Sequence, residues 1–183
     1  MVTKNGTFVA LLRGINVGGK NKLPMKDLVG MFDRAGCVTT RHYIQSGNIV
    51  FSAPPALAAK IPALVGAAIA KGFGLRVPVV LRSEKELRAV VAGNPFLEDG
   101  VDPDTLHVMF LADKPSKAAV AALDPARSPP DELVVKGREI YLALPNGMGR
   151  TKLTNAWFDA KLATVSTARN WRTVLKLVAM CDA

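Results

Sequence analysis

Gly14-Ile15-Asn16-Val17-Gly18-Gly19-Lys20-Asn21 is the segment of this chain whose residue types and spacing come nearest to chemistry. It fits G-x-x-x-x-G-K, in which glycines let backbone N–H groups approach a phosphate and a lysine neutralises it. The hydroxyl that ligates magnesium in such loops is replaced by Asn21, which disfavours a true nucleotide-hydrolysing loop. Simple anion binding survives. Lys20 and Lys22 stand just before a predicted helix N-terminus, where the positive dipole end is unfavourable to them unless an anion is present. The competing reading is a flexible loop whose glycines only permit the turn.

Three further groups are candidates. Gln45-Ser46-Gly47-Asn48 offers the polar side chains of Gln45, Ser46 and Asn48 at a hairpin tip, although a turn's need for small residues explains it sufficiently. Thr167–Val178 predicts a helix with Thr167 as its N-cap. Trp171, Val174, Leu175 and Val178 form its core stripe, and Arg169, Arg172, Thr173 and Lys176, next to Asn170, form a basic face. Arg82 ends a predicted strand, and Gly149-Arg150-Thr151-Lys152 is a weaker glycine-and-cation segment. A solvated basic face accounts for any of these taken singly. The two histidines, His42 and His107, have no second metal ligand nearby, and Cys37 and Cys181 lack C-x-x-C spacing. No metal site, G-x-S-x-G elbow or Ser-His-Asp assignment follows, and no cofactor is identified.

The elements that must position these residues read as follows. Thr7–Arg13 is a strand, and Pro24 opens a helix with Met25, Leu28, Val29 and Phe32 at i, i+3, i+4, i+7, ended by Gly36. Val38–Ile44 and Asn48–Ser52 pair as a hairpin. Pro55–Gly72 is a second helix, interrupted by Pro62, with Leu57, Ile61, Leu64, Val65, Ala68 and Ile69 on its apolar stripe. Arg76–Arg82 completes β-α-β-β-α-β, the split βαβ or ferredoxin-like order. Ser83-Glu84-Lys85-Glu86 is a capping box. The second half repeats β-α-β-β-α through Leu106–Leu111, Pro115–Leu123, Leu133–Val135, Glu139–Leu144 and a helical end in two pieces meeting near Ala163–Thr167.

Charge is unevenly placed. Residues 1–83 carry 11 Lys/Arg against Asp27 and Asp33, whereas residues 84–183 carry 13 of each sign. Within the latter, 84–139 has 7 basic and 11 acidic residues and 140–183 has 6 and 2, so the excess lies at both ends of the chain. If the fold joins those ends they make one basic surface, which favours an anionic partner; mere solubility is the bland alternative. Nearly half the residues are apolar, enough for a packed core. Two distant cysteines and a short apolar N-terminal run point to a cytoplasmic protein that does not enter a membrane.

At the segments Leu12–Asn21, Tyr43–Phe51, Arg82-Ser83, Asn94-Pro95-Phe96 and Arg169–Val174, the chain resembles the bacterial "domain of unknown function 1697" proteins. The resemblance implies an α+β fold of two subdomains with ferredoxin-like character, and no particular activity, substrate or cofactor.

The expectation is therefore an α+β protein of two ferredoxin-like subdomains, residues 1–83 and 84–183, sharing one globule. Arg13, Gly14, Asn16, Gly18, Gly19, Lys20, Asn21, Gln45, Ser46, Asn48, Arg82, Arg169, Asn170, Arg172 and Lys176 are expected to line a basic cleft for a phosphate-bearing small molecule or nucleic acid. One alternative is an enzyme acting on a small anionic substrate by phosphoryl or acyl transfer, which needs a general base that this set lacks. Another is an interaction module whose basic face meets an acidic protein.

Overall fold

A computed structural model describes residues 4–98 and 100–182. Strand β1 (Gly6–Leu12) follows the first apolar run, and its last four residues are buried on both faces. Helix α1 (Met25–Arg34) buries Met25, Leu28, Met31 and Phe32, one stripe of a 3.6-residue repeat. It stops at a Schellman motif: Gly36 takes φ 97°, its N–H donates to the Asp33 carbonyl (3.0 Å) and the Cys37 N–H to that of Phe32 (3.1 Å). Strands β2 (Val38–Tyr43) and β3 (Asn48–Ala53) form the predicted hairpin. The predicted second helix divides into α2 (Pro55–Ala58) and α3 (Ile61–Phe73), with Pro62 in the first turn of the restart. Leu64 proves exposed, while Ile61, Val65 and Ile69 carry the buried stripe. Strand β4 (Val79–Ser83) leads into α4 (Glu84–Ala92) through the expected capping box: Ser83 Oγ accepts from the Glu86 N–H (3.3 Å), and a Glu86 carboxylate oxygen accepts from the Ser83 N–H (2.8 Å).

The second set is β5 (Leu106–Leu111), α5 (Lys117–Ala121), β6 (Glu132–Lys136), β7 (Glu139–Ala143), α6 (Asn155–Leu162), β8 (Ser166–Asn170) and α7 (Trp171–Cys181). The expectation of two helices meeting near residues 163–167 needs correction. Ala163 turns left-handed (φ 52°) and ends α6, and residues 166–170 become a strand hydrogen-bonded antiparallel to β5. Ser-Thr-Ala-Arg-Asn has little strand propensity of its own; completion of the sheet overrides it. Thr167 consequently lies in a strand, and Asn170 caps α7 instead, its Oδ1 accepting from the Thr173 N–H at 2.8 Å. On α7, Thr173 is buried and Leu175 is 44% exposed, the reverse of the predicted stripe.

Both sheets are four-stranded and antiparallel, ordered β2-β3-β1-β4 and β6-β7-β5-β8. Each is a complete split-βαβ unit followed by one more helix, so the fold is α+β with ferredoxin-like character in both halves. The chain divides into residues 1–88 with 177–183, and residues 89–176. In the first unit α1 and α3 pack Leu28, Phe32, Ile61 and Val65 onto Ala10, Leu12, Ile49 and Phe51. In the second, Phe158 and Leu162 cover Met109, Leu111, Ile140 and Leu142. Such side chains each contribute roughly 1.5–3 kcal/mol on burial. Among the described residues no helix is long and apolar enough to cross a membrane.

Ser83→Ala removes one half of the capping box and is expected to cost about 1 kcal/mol in urea unfolding. Adding Glu86→Ala should cost less than the sum of the two single changes, because each side chain satisfies the other's end of the same box.

Candidate functional site

The glycine loop after β1 is a miniature hairpin arm. Val17 and Lys20 form an antiparallel bridge, the Lys20 N–H donating to the Val17 carbonyl (3.0 Å) and the Asn16 N–H to that of Asn21 (3.1 Å). Gly18 and Gly19 are its two central residues, at φ 57° and 74°, the signs a type I′ turn requires. Two of the N–H groups that a phosphate cradle would present are thus spent on the arm itself. Asn16 and Asn21 also hold positive φ, 54° and 49°, which asparagine tolerates better than most residues. Asn21 Nδ2 donates to the Gly14 carbonyl (2.8 Å). Asn16 makes three bonds: Nδ2 to the carbonyls of Leu23 (2.8 Å) and Gln45 (2.9 Å), and Oδ1 from the Leu23 N–H (2.8 Å).

That Asn16–Gln45 bond ties the arm to the β2–β3 turn. The turn runs through four residues, Ile44–Gly47, with Ile44 at φ 46° and Gly47 at φ 80°. The Gly47 carbonyl accepts from the Leu12 N–H (2.8 Å). A Cβ on Gly47 would lie 2.7 Å from Leu12 Cβ and 3.1 Å from Ile15 Cδ1, so only glycine fits. Asn48 is fully buried, donating to the Tyr43 carbonyl (3.2 Å) and Ser46 Oγ (2.9 Å). The structure therefore brings Gly14, Asn16, Gly18, Gly19, Lys20, Asn21, Gln45, Ser46 and Asn48 together at one end of the first sheet. It employs Asn16, Asn21, Ser46 and Asn48 as joinery. Lys20, Lys22, Lys26 and Gln45 remain solvent-exposed, and Arg13 is half-buried.

The other predicted cations have different roles. Arg82 is fully buried in β4, Nη1 donating to the Leu81 carbonyl (2.8 Å). Arg169 is corrected from an exposed helix face to strand β8, where it is only 8% exposed; Nη1 donates to Thr167 Oγ1 (2.8 Å) and the Ala168 carbonyl (2.7 Å). Burial pushes its guanidinium down to about 10, so it stays charged at neutral pH. Arg172 pairs with Asp104 (2.8 Å), both well exposed, an ion pair of little energetic weight. These two residues, with Pro103, Asn170 and Trp171, line a cavity of about 180 Å³. Lys176 is exposed on α7.

Sequence reasoning missed that Arg82 and Arg169 are equivalents. Each lies on an edge strand opposite a valine of the central strand, Val9 or Val108. Each donates to the carbonyl of the residue before it, and each is followed by the residue that caps the next helix. The shared signal, an arginine followed by Ser or Asn, is too short to read as a repeat. Burial raises both thiols, Cys37 and Cys181, to about 11, leaving them protonated at neutral pH. Burial lowers His107. No group of three or more His, Cys, Asp or Glu among the described residues could hold a metal ion.

Asn16→Ala leaves the Leu23 N–H and two carbonyls without their partner, and should lower unfolding free energy by about 2–3 kcal/mol in urea. Gly47→Ala, strained in φ and crowded by Leu12 and Ile15, should cost at least as much, whereas Gly19→Ala, whose Cβ meets nothing within 4 Å, should cost about 1–2 kcal/mol.

No curated protein matches the chain. A solved structure, that of the conserved bacterial protein SP0830 from Streptococcus pneumoniae, is similar over 97% of this chain and 99% of that one, with a TM-score of 0.75 and 22% sequence identity; that likeness shows the fold. The family described as "Protein of unknown function (DUF1697)" matches residues 6–141, which takes in the arm, the Gly47 turn and Arg82. The chain belongs to that family.

Proposed function

We propose that this protein binds a phosphate-bearing anion, a nucleotide or nucleic acid, through the basic surface of its first unit, and that it does so in the cytoplasm. The observation that carries the reading is the arm: a hydrogen-bonded hairpin that holds Lys20 and Lys22 in solvent. Lys26 stands near the start of α1 and Arg13 at the base of the arm. The unit to which they belong has 13 Lys/Arg against 5 Asp/Glu, so its field attracts anions over distances longer than any one hydrogen bond. Because the arm's backbone donors are partly consumed, recognition falls to side-chain cations. The exposed residues of the arm include no carboxylate, imidazole or thiol, which favours binding over catalysis.

Fluorescence anisotropy with labelled single- and double-stranded oligonucleotides, alongside thermal shift with nucleotides, tests this. A ligand at about 100 times its Kd should add roughly 2.7 kcal/mol of stability. Lys20→Glu with Lys22→Glu should weaken oligonucleotide binding and reduce the slope of log K against log salt by about 0.7–0.9 for each phosphate that the variant no longer neutralises. Unchanged affinity and slope in the folded double variant would remove the arm from the binding surface.

A further inference from the structure

We propose that the second unit carries a separate site, a groove between α5 and the β6–β7 hairpin that takes a small amphipathic anion, a carboxylate on an apolar chain. The two units follow one element order, and comparing them locates the groove. In the first, the ten residues of α1 sink Met25, Leu28, Met31 and Phe32 into the core. In the second, α5 holds the same place in the order with five residues, none of them buried. Leu133 and Val135, on the helix side of β6, stay only partly covered. The space left open is about 290 Å³, walled by Pro115, Val120, Ala121 and Val135 beside Gly137. This is the low end of the range of small-molecule sites.

Its polar lining has one sign. Lys114 and Lys117 are both exposed at the rim, and among the described residues no acidic side chain lines the groove. Flanking charges make contacts of their own: Lys136 Nζ donates to the Gly93 carbonyl (2.9 Å), Arg138 Nη1 to the Ala112 carbonyl (3.1 Å), and the Asp113 carboxylate accepts from Thr164 Oγ1 (3.4 Å); Glu139, outside the lining, brings a carboxylate oxygen to 3.8 Å from where a Cβ on Gly137 would stand. An aliphatic trough with two cations at its rim matches a ligand with an apolar body and one anionic head. Neither a neutral hydrocarbon nor a polyphosphate uses both features.

Amide shifts of isotope-labelled full-length protein, titrated with octanoate, hexanoate and octanol at neutral pH, decide the matter. Octanoate should move the amides of residues 114–121 and 133–138. Octanol should bind there about two- to fivefold more weakly, the weight of an exposed ion pair. Hexanoate, two methylenes shorter, should bind about fifteenfold more weakly, since each methylene is worth about fourfold. Lys114→Glu with Lys117→Glu, both at exposed positions, should abolish the preference for octanoate over octanol. Ala121→Trp, also exposed, should fill the groove and weaken all three. Octanoate shifts that lie elsewhere or do not occur, equal affinity for octanol, or a preference that survives charge reversal would each overturn the assignment. So would shifts of these amides on phosphatidylglycerol vesicles equal to those on octanoate, because the groove would then be reading a lipid surface.

Discussion

The end of the first unit that displays its lysines depends on one side chain. Asn16 sits at positive φ in a segment whose backbone has no sheet or helix to satisfy it. Its carboxamide supplies what the ladder cannot, bonding both polar groups of Leu23, at the entry to α1, and the Gln45 carbonyl, on the β2–β3 turn. Buried or half-buried backbone groups left without partners cost about as much as a lost hydrogen bond each. Two connections that would otherwise order separately, each at its own entropic cost, are ordered together. Ile15 and Leu23, both essentially fully buried, hold the same segment from the core side.

A second constraint recurs at the other edge of each sheet. In β4, Val79 and Leu81 pack toward the helices, so Val80 and Arg82 alternate to the opposite face, where both are buried. In β8, Ala168 faces the helices while Thr167 and Arg169 are buried on the other side. Sheets buried on both faces explain why β1 and β5 read as unbroken apolar runs rather than alternating ones. Burying a guanidinium costs several kcal/mol unless its donors are bonded. Both arginines meet part of that cost in the same way, by turning a nitrogen onto the preceding carbonyl, and both do so immediately before a helix cap. The agreement of register, bond and cap in two units of one topology is a property of the architecture and not of either local sequence.

What is legible in the sequence is what neighbours in the chain decide. The Ser83–Glu86 box, the Gly36 stop and the Pro62 restart are interactions within a turn of helix, and the residues that make them are adjacent. The strand β8 is not legible, because Ser-Thr-Ala-Arg-Asn is fixed by its pairing with β5, nearly sixty residues earlier. Without that strand, Arg169, Thr167 and the start of α7 are misplaced; on α7 the buried stripe runs through Trp171, Thr173, Val174 and Leu177, with Leu175 outside it. The loop from Gly14 to Asn21 does depend on glycine, but for a different backbone from the one its spacing suggests. A phosphate cradle and a type I′ arm both demand glycine, and only the hydrogen-bond partners of Asn16 and Lys20 tell them apart.

The two units depart from their common plan in opposite ways. The first has a ten-residue helix at α1 and accumulates positive charge; the second, with 11 Lys/Arg against 10 Asp/Glu, keeps charge balance and has only five residues at α5. Charge without a cradle attracts by field, so in the proposed reading discrimination among anions at the arm rests on how many phosphates can be reached at once. An uncovered apolar trough selects by shape and chain length, because each methylene it accepts adds a fixed increment. The two proposals thus call on different kinds of selectivity. The register shared by Arg82 and Arg169 is buried and tied to strand pairing, so the units agree where the sheet sets the side chain and differ in charge and in the length of the helix after the first strand.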